Sequence, residues 1–208
     1  EASDRYDFIP SEDFDDLIQL RQGVDLQQAF AEADLPFLVV ERPFFTYLAT
    51  YRGDFAIVAV RGTAKASEWL TNLNAQKIGG GDAEPDYHPG FMREAWDGMI
   101  ELRAKLGAAL ERPHLYFTGH SLGGAIAALL APRMNGQTAY VFGSPRFGNA
   151  RAVAAAEPYA YMRPDDLVPH LPPSGLGYAD AASRLEVVGD GAPVQAAAWP
   201  TLKSWLPS

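Results

Sequence analysis

The fold of this chain is decided by the stretch Leu115-Tyr116-Phe117-Thr118-Gly119-His120-Ser121-Leu122-Gly123-Gly124-Ala125, in which a serine separates an apolar run from one rich in alanine and leucine. A Gly-x-Ser-x-Gly pattern between a strand and a helix is typical of a nucleophile elbow. The glycines carry no Cβ, so the backbone can turn sharply and lift the Ser121 hydroxyl above the sheet. The alternative is a plain strand-to-helix turn that contains a serine. The apolar run before the motif and the helical run after it favour the elbow.

Further strand-like and helical patterns flank this motif. Apolar runs at residues 44–50, 55–60, 115–118, 138–142 and 159–162 predict strands. In the second half they alternate with helical patterns, which indicates a mostly parallel sheet with flanking helices. The clearest helix spans residues 91–110, with apolar side chains on one face, and a second is expected at residues 11–22, capped by Ser11. The fold class is therefore α/β.

Bulk composition excludes several classes of protein. With 208 residues and 48% hydrophobic content, residues 1–208 are expected to form a single domain. The net charge of -9 disfavours nucleic acid and favours a neutral substrate. The absence of cysteine excludes disulfides and thiolate metal sites. The chain begins with neither a basic nor an apolar segment, so it is expected to be cytoplasmic or secreted with its signal peptide removed.

A serine hydroxyl becomes a good nucleophile only when a histidine removes its proton and a carboxylate orients that histidine. In α/β-hydrolases these groups follow the serine in the order acid, then histidine. Asp165 and Asp166 come directly after the strand-like run 159–162, so they should lie near the edge of the sheet where Ser121 opens. One of the two is the expected acid. The alternative is that both are solvated loop carboxylates.

Backbone N–H groups must also stabilise the oxygen that becomes negative during acyl transfer. Leu122 supplies one such donor by its position after the serine. Thr63, which follows the strand-like run 55–60, is the expected second donor of this oxyanion hole, with an ordinary turn residue as the alternative. This chemistry requires no cofactor, and the sequence contains no pattern of metal ligands.

Taken together, these residues resemble the fungal-type (class 3) lipase family of the α/β-hydrolase superfamily. Five segments occur in the order of that family's motifs: Arg61-Gly62-Thr63, His88-Pro89-Gly90-Phe91, Gly119 to Ala125, Phe142 to Asn149, and Asp166 to Pro173. The resemblance implies an α/β-hydrolase fold. Because the family's acid stands directly before an aliphatic-Val-Pro triplet, it also selects Asp166 over Asp165.

Members of this family often carry a short amphipathic lid after the first oxyanion segment. The segment from Ser67 to Leu73 fits that position, with Trp69, Leu70 and Leu73 on one helical face. Opening of such a lid would expose apolar surface to lipid and give a transient contact with a lipid interface. A buried packing helix is the alternative.

The catalytic histidine of the family has no counterpart in this chain. The four histidines are at positions 88, 114, 120 and 170, and none matches the family's catalytic position near the C-terminus. His170 is a weak fallback, because it lies only four residues after Asp166 among stiffening prolines. The expectation is that the histidine follows Ser208 in the natural gene product, so that residues 1–208 lack the natural C-terminal end.

The resemblance implies a serine-dependent carboxylic ester hydrolase, acting on triacylglycerol or other small-molecule or lipid acyl esters through an acyl-enzyme on Ser121. Within the enzyme class, the alternatives are a phospholipase A and an aryl (feruloyl-type) esterase. A hypothesis from another class is a non-catalytic α/β-hydrolase module that binds an apolar ligand.

Overall fold

The computed structural model describes residues 26–62, 78, 83–187 and 194–195. The chain divides into two compact units, Glu1–Phe37 and Leu38–Ser208. The described part of the first unit contains helix α1 (Leu26–Glu32), followed by a turn in which the Leu35 N–H donates to the Phe30 carbonyl at 2.9 Å. The helix expected at residues 11–22 lies outside the described residues.

The second unit is built on one eight-stranded sheet whose strands lie side by side in chain order. The strands are β1 (Leu38–Glu41), β2 (Thr46–Arg52), β3 (Phe55–Arg61), β4 (His114–His120), β5 (Thr138–Phe142), β6 (Tyr159–Met162), β7 (Ser183–Glu186) and β8 (Val194–Gln195). Strands β3 to β7 are parallel, whereas β1, β2 and β8 are antiparallel to their neighbours. The carboxyl ends of β3 to β7 therefore meet at one edge of the sheet, here called the carboxyl edge.

Within the described residues of this unit, three α-helices accompany the sheet: α2 (Pro89–Leu110), α3 (Leu122–Arg133) and α4 (Ala150–Ala156). Helix α3 contacts β3, β4, β5 and α2. Its residues 122–131 are all buried, which fits a stretch of leucine, isoleucine, alanine and glycine without a polar side chain. The main core thus forms around α3, and it includes the buried stripe of α2.

The two faces of the sheet differ in burial. Alternate residues such as Val58, Phe117 and Val141 are buried in the core. Their neighbours along the strands point to the opposite face, here called the outer face, because successive side chains of a strand alternate. Phe142 is exposed there, and its ring stacks on Tyr161 with centroids 5.2 Å apart.

The predicted α/β class, with a mostly parallel sheet and flanking helices, is confirmed. The strand expected at residues 44–50 begins later, at Thr46, because the Arg42 N–H donates to the Phe45 carbonyl at 2.8 Å and closes a turn. The run 115–118 is longer than expected and continues to His120. Among the described residues, no helix has the length and apolar character needed to cross a membrane.

Candidate active site

Ser121 is the single residue between the end of β4 and the start of α3. Its backbone has φ 52° and ψ -128°, a conformation that residues with a Cβ rarely adopt. The Ser121 N–H donates to the Phe142 carbonyl at 2.9 Å, which ties the turn to the end of β5. Although Ser121 occupies the N-cap position of α3, its side chain makes no capping hydrogen bond. The helix therefore does not use the Ser121 hydroxyl.

Two glycines allow this turn to pack against its neighbours. A Cβ at Gly123 would lie 2.0 Å from the Val60 carbonyl oxygen of β3. A Cβ at Gly119 would lie 2.3 Å from the Gly123 carbonyl oxygen. Both distances are far below van der Waals contact, so only glycine fits at either position. The strand, turn and helix predicted for the motif are all present.

The first turn of α3 offers donors next to the serine. Leu122 is the first helical residue, so its N–H has no acceptor within the helix and lies at the positive end of the helix dipole. The chain that leaves β3 reaches this turn, because a Cβ at Gly62 would lie 3.1 Å from the Leu122 Cβ. The predicted second donor, Thr63, lies outside the described residues.

The predicted lid falls in the same undescribed part of the chain. Trp69, Leu70 and Leu73 lie outside the described residues, as does the rest of the segment from Ser67 to Leu73.

Asp166 reaches the same edge of the sheet as Ser121. Ser121 follows β4, Gly143 follows β5 and Asp166 lies in the loop after β6. Gly143 has φ +53°, and a Cβ there would lie 2.7 Å from the Asp166 Oδ2. The motifs of the sequence give no role to Gly143, although a glycine directly after an apolar strand is a visible signal. Its missing side chain leaves room for the carboxylate at the end of β5.

The two neighbouring aspartates have different surroundings. Asp166 is half-buried, and burial raises the pKa of its carboxyl group. Donation from the Val168 N–H to Oδ1 at 2.9 Å and the nearby His120 oppose that rise. Asp165 has a side chain that is 74% exposed and pairs with Arg163 at 3.1 Å, which lowers its pKa. The geometry therefore favours Asp166 as the candidate acid and leaves Asp165 in solvent.

Two histidines make contacts that account for them without catalysis, and a third lies near the candidate acid. His88 caps α2 through Nδ1, which accepts the Phe91 N–H at 3.4 Å. His114 begins β4 and stacks on Phe55, with ring centroids 4.7 Å apart. His120 ends β4 beside Phe142, and burial lowers its pKa while Asp166 acts in the opposite direction. Strand alternation directs the His120 side chain to the outer face.

His170 lies beside two arginines. Its Nδ1 is 3.3 Å from the Arg184 Nη2. Burial, Arg184 and Arg146 together lower the pKa of His170 to about 4. A general base must become a cation during the reaction, and this environment opposes a positive charge on the ring. The geometry therefore disfavours the fallback histidine as the base.

Comparison with known proteins supports a lipase-like identity. The profile of the family described as Lipase (class 3) matches residues 57–176, a span that runs from β3 through the loop that carries Asp166. Secreted mono- and diacylglycerol lipase 1 from Fusarium solani is 36% identical over 153 residues, which are 66% of this chain and 45% of that protein. Phospholipase A1-II 5 from Oryza sativa subsp. indica is 30% identical over 174 residues, with 62% and 37% covered. The chain thus spans less than half the length of these curated relatives.

Solved structures show the same fold. A triacylglycerol lipase described as having a serine protease triad at its catalytic centre superimposes with a TM-score of 0.67. The superposition covers 88% of this chain and 83% of that one, at 21% sequence identity. A Rhizomucor miehei lipase in complex with its propeptide gives a TM-score of 0.66 at 21% identity, with 89% and 71% covered.

Proposed function

Because this chain belongs to the class 3 lipase family, we propose that the protein is a serine-dependent carboxylic ester hydrolase that forms an acyl-enzyme on Ser121. The observation that carries the proposal is the strained Ser121 backbone between β4 and α3, combined with a side chain that does not cap the helix. Strain of this kind persists at functional sites, where the surrounding structure holds it in place.

The reaction follows from the groups around the elbow. A histidine base takes the proton from the Ser121 Oγ, which attacks the ester carbonyl carbon, and the carbonyl oxygen becomes negative. The Leu122 N–H and a donor from Thr63 bind that oxygen, each contributing on the order of 10²–10³ in rate. Collapse of the intermediate expels the alcohol, which takes the proton from the histidine. Water then repeats the sequence on the acyl-enzyme and releases the carboxylic acid.

Asp166 is the proposed partner of the histidine. It lies at the carboxyl edge with Ser121, and its Oδ2 occupies the space that a side chain at position 143 would need. An ionised carboxylate there would hold the imidazole in the correct tautomer and stabilise the imidazolium that forms.

The base is proposed to be a histidine outside residues 1–208. The surroundings of three of the four histidines support this proposal, since one caps a helix, one stacks at the start of a strand and one lies beside arginines. The fourth, His120, directly precedes Ser121 at the end of β4, and its ring lies near Asp166. Sequencing the gene beyond codon 208, and replacing each histidine found there with alanine, would test it. A gene without a histidine in that region would contradict the proposal.

The substrate is proposed to be a neutral lipid ester. The family supports a lipid ester, and the net charge of -9 disfavours anionic substrates at long range. Because one relative is named a mono- and diacylglycerol lipase and another a phospholipase A1, the headgroup needs a direct test. The substrate classes can be ranked by hydrolysis rate. The substrates are a chain-length series of p-nitrophenyl esters, a diacylglycerol, a phosphatidylcholine and a feruloyl ester. Faster hydrolysis of the phospholipid would contradict a neutral-lipid preference.

The lid at Trp69, Leu70 and Leu73 stays a proposal, supported by the amphipathic pattern of the segment. If it gates the site, specific activity should rise abruptly when a short-chain ester exceeds its solubility limit, because an interface would then favour the open state. A smooth activity curve through that limit would contradict a working lid.

A secreted location and the absence of a nucleic-acid partner are proposed as well. The Fusarium solani relative is named a secreted lipase, which supports secretion over a cytoplasmic location. The excess of acidic residues would repel a phosphate backbone. Esterase activity and antibody signal in the culture medium, compared with the cell fraction, would test the location.

The second candidate function is a non-catalytic module that binds an apolar ligand. The observation that favours it is that three of the described histidines make contacts that suit other roles. A fluorophosphonate probe separates the two functions, because it labels a serine only when that serine is activated. Labelling of the full-length protein that is lost in Ser121→Ala supports the enzyme. A folded, full-length protein that takes no label would support the binding module.

A further inference from the structure

Arg146 binds three successive carbonyl groups of the loop that carries Asp166. Its backbone N–H donates to the Leu171 carbonyl at 2.7 Å. Its Nη1 donates to the His170 carbonyl at 2.6 Å and to the Pro172 carbonyl at 3.0 Å. The Arg146 side chain is only 9% exposed, so these charge-assisted bonds are largely shielded from water. One residue thus fixes the end of the Asp166 loop from two sides.

Hydrogen bonds continue from this point to the candidate acid. The loop forms a 3₁₀ turn at Val168–His170, in which the His170 N–H donates to the Leu167 carbonyl at 3.0 Å and the Leu171 N–H donates to the Val168 carbonyl at 3.0 Å. The Val168 N–H then donates to the Asp166 Oδ1 at 2.9 Å. The position of the carboxylate therefore depends on a turn whose far end Arg146 holds.

The guanidinium of Arg146 is itself held in place. Asp180 accepts from the Arg146 Nε at 2.7 Å through Oδ1, and its Oδ2 lies 2.8 Å from the Arg184 Nη1. Arg184 is buried and lies on β7, so the Asp180 carboxylate joins the Arg146 side chain to the sheet. A planar guanidinium bonded on several edges has little freedom to move.

We propose that Arg146 is a positioning residue for the acid, keeping the Asp166 carboxylate at the carboxyl edge through its bonds to residues 170–172. The inference rests on the proposed function of Ser121 and Asp166. A displacement of a catalytic group by about 1 Å can lower the rate by on the order of 10²-fold. Arg146 touches no reacting atom in this scheme, so its effect should fall on turnover rather than on substrate affinity.

The test compares Arg146→Gln and Arg146→Lys in the full-length protein, with p-nitrophenyl butyrate as substrate. For Arg146→Gln, kcat should fall by about 10- to 100-fold while KM changes by less than about twofold. For Arg146→Lys, kcat should fall less, because an ammonium group can still donate to these carbonyls but lacks the second edge by which the guanidinium bonds Asp180. The matched control is Arg103→Gln, which also removes an arginine that bonds a backbone carbonyl, that of Arg133 at 2.8 Å. Its kcat should be unchanged.

A purely structural role of Arg146 would lower the stability of the variants without lowering kcat in the folded protein. To separate the two effects, all rates are measured at a temperature well below the unfolding midpoint of each variant. If Arg146→Gln and Arg146→Lys have lower midpoints but wild-type kcat in the folded protein, the inference is overturned. Should Arg146→Gln fail to fold, Arg146→Lys decides, and an unchanged kcat overturns the inference. A wild-type protein without turnover contradicts the proposed function itself and the inference with it.

Discussion

Ser121 keeps a backbone conformation that costs roughly 1–3 kcal/mol for a residue with a side chain. Hydrogen bonds on both sides hold it in place. Its N–H donates to the Phe142 carbonyl, and its carbonyl accepts from the Gly124 N–H, each at 2.9 Å. The strain should therefore be measurable separately from the chemistry, by changing the residue without changing these main-chain bonds.

We expect Ser121→Gly to be more stable than Ser121→Ala. Both variants lose the nucleophile, but alanine keeps the strain at positive φ, whereas glycine adopts that conformation readily. After allowance for the greater freedom of glycine in the unfolded chain, the free energy of unfolding should be about 1 kcal/mol higher for the glycine variant. Urea denaturation of the two proteins measures the difference. Equal stabilities would argue against a strained elbow.

The neighbouring aspartates give a second comparison at the residue scale. Asp166→Asn should lower kcat by roughly 10⁴-fold, because an amide cannot hold the histidine in the tautomer that accepts the serine proton. Asp165→Asn is the matched control, and it should leave kcat within about twofold because Asp165 is exposed and bonded to Arg163. Steady-state kinetics on p-nitrophenyl butyrate check both. Similar losses in the two variants would contradict the assignment of the acid.

At the scale of the element, helix α2 contains two glycines with opposite surroundings. A Cβ at Gly107 would meet no atom within 4 Å, whereas a Cβ at Gly98 would lie 2.1 Å from the Tyr47 Oη. Gly107→Ala should raise the free energy of unfolding by about 0.5–1 kcal/mol through helix propensity. Gly98→Ala should lower it by about 1–3 kcal/mol, because Tyr47 is fully buried and must shift. Urea denaturation of the pair tests this, and equal effects would contradict the close packing of α2 on β2.

Local patterns in the sequence were sufficient to predict the central elements. The runs at residues 138–142 and 159–162 became β5 and β6 with those bounds, since each is apolar and bounded by turn residues. The helix expected at 91–110 is present as Pro89–Leu110, because its apolar stripe repeats with helical spacing. Helix α4 was missed, although Asn149 caps it by accepting the Ala152 N–H at 2.9 Å and its residues are mostly alanine.

The parts of the site that the sequence did not predict depend on contacts between distant segments. Arg146 and Asp180 are 34 positions apart, and no periodic pattern links them. The motif around Arg146 was visible, but its bonds to the Asp166 loop follow from the parallel order of β5, β6 and β7. Spacing alone also left Asp165 and Asp166 equivalent. The loop after β6 turns the Asp165 carboxylate to solvent and the Asp166 carboxylate toward Gly143, and this difference depends on the three-dimensional course of the loop.

At the scale of the whole molecule, three histidines with lowered pKa values link stability to pH. Burial lowers the pKa of His88, His120 and His170 below the ordinary 6.5. For His170, the neighbouring Arg184 and Arg146 add to burial, Asp180 acts in the opposite direction, and the resulting pKa is about 4. Between pH 6.5 and 4 the unfolded chain therefore binds more protons than the folded one, and stability falls as the pH is lowered through this range. Asp166, whose pKa is raised by burial, has the opposite effect.

The contribution of His170 can be isolated with His170→Asn, which removes the titrating ring but keeps the backbone carbonyl that Arg146 binds. The free energy of unfolding, measured by urea denaturation from pH 7 to pH 4, should fall less steeply in this variant than in the wild type. The free energy of unfolding of this variant should still fall somewhat as the pH is lowered, because His88 and His120 titrate with lowered pKa values. A wild-type slope in His170→Asn would show that the His170 ring takes up protons in the folded chain as readily as in the unfolded chain, and it would contradict the lowered pKa expected beside Arg184.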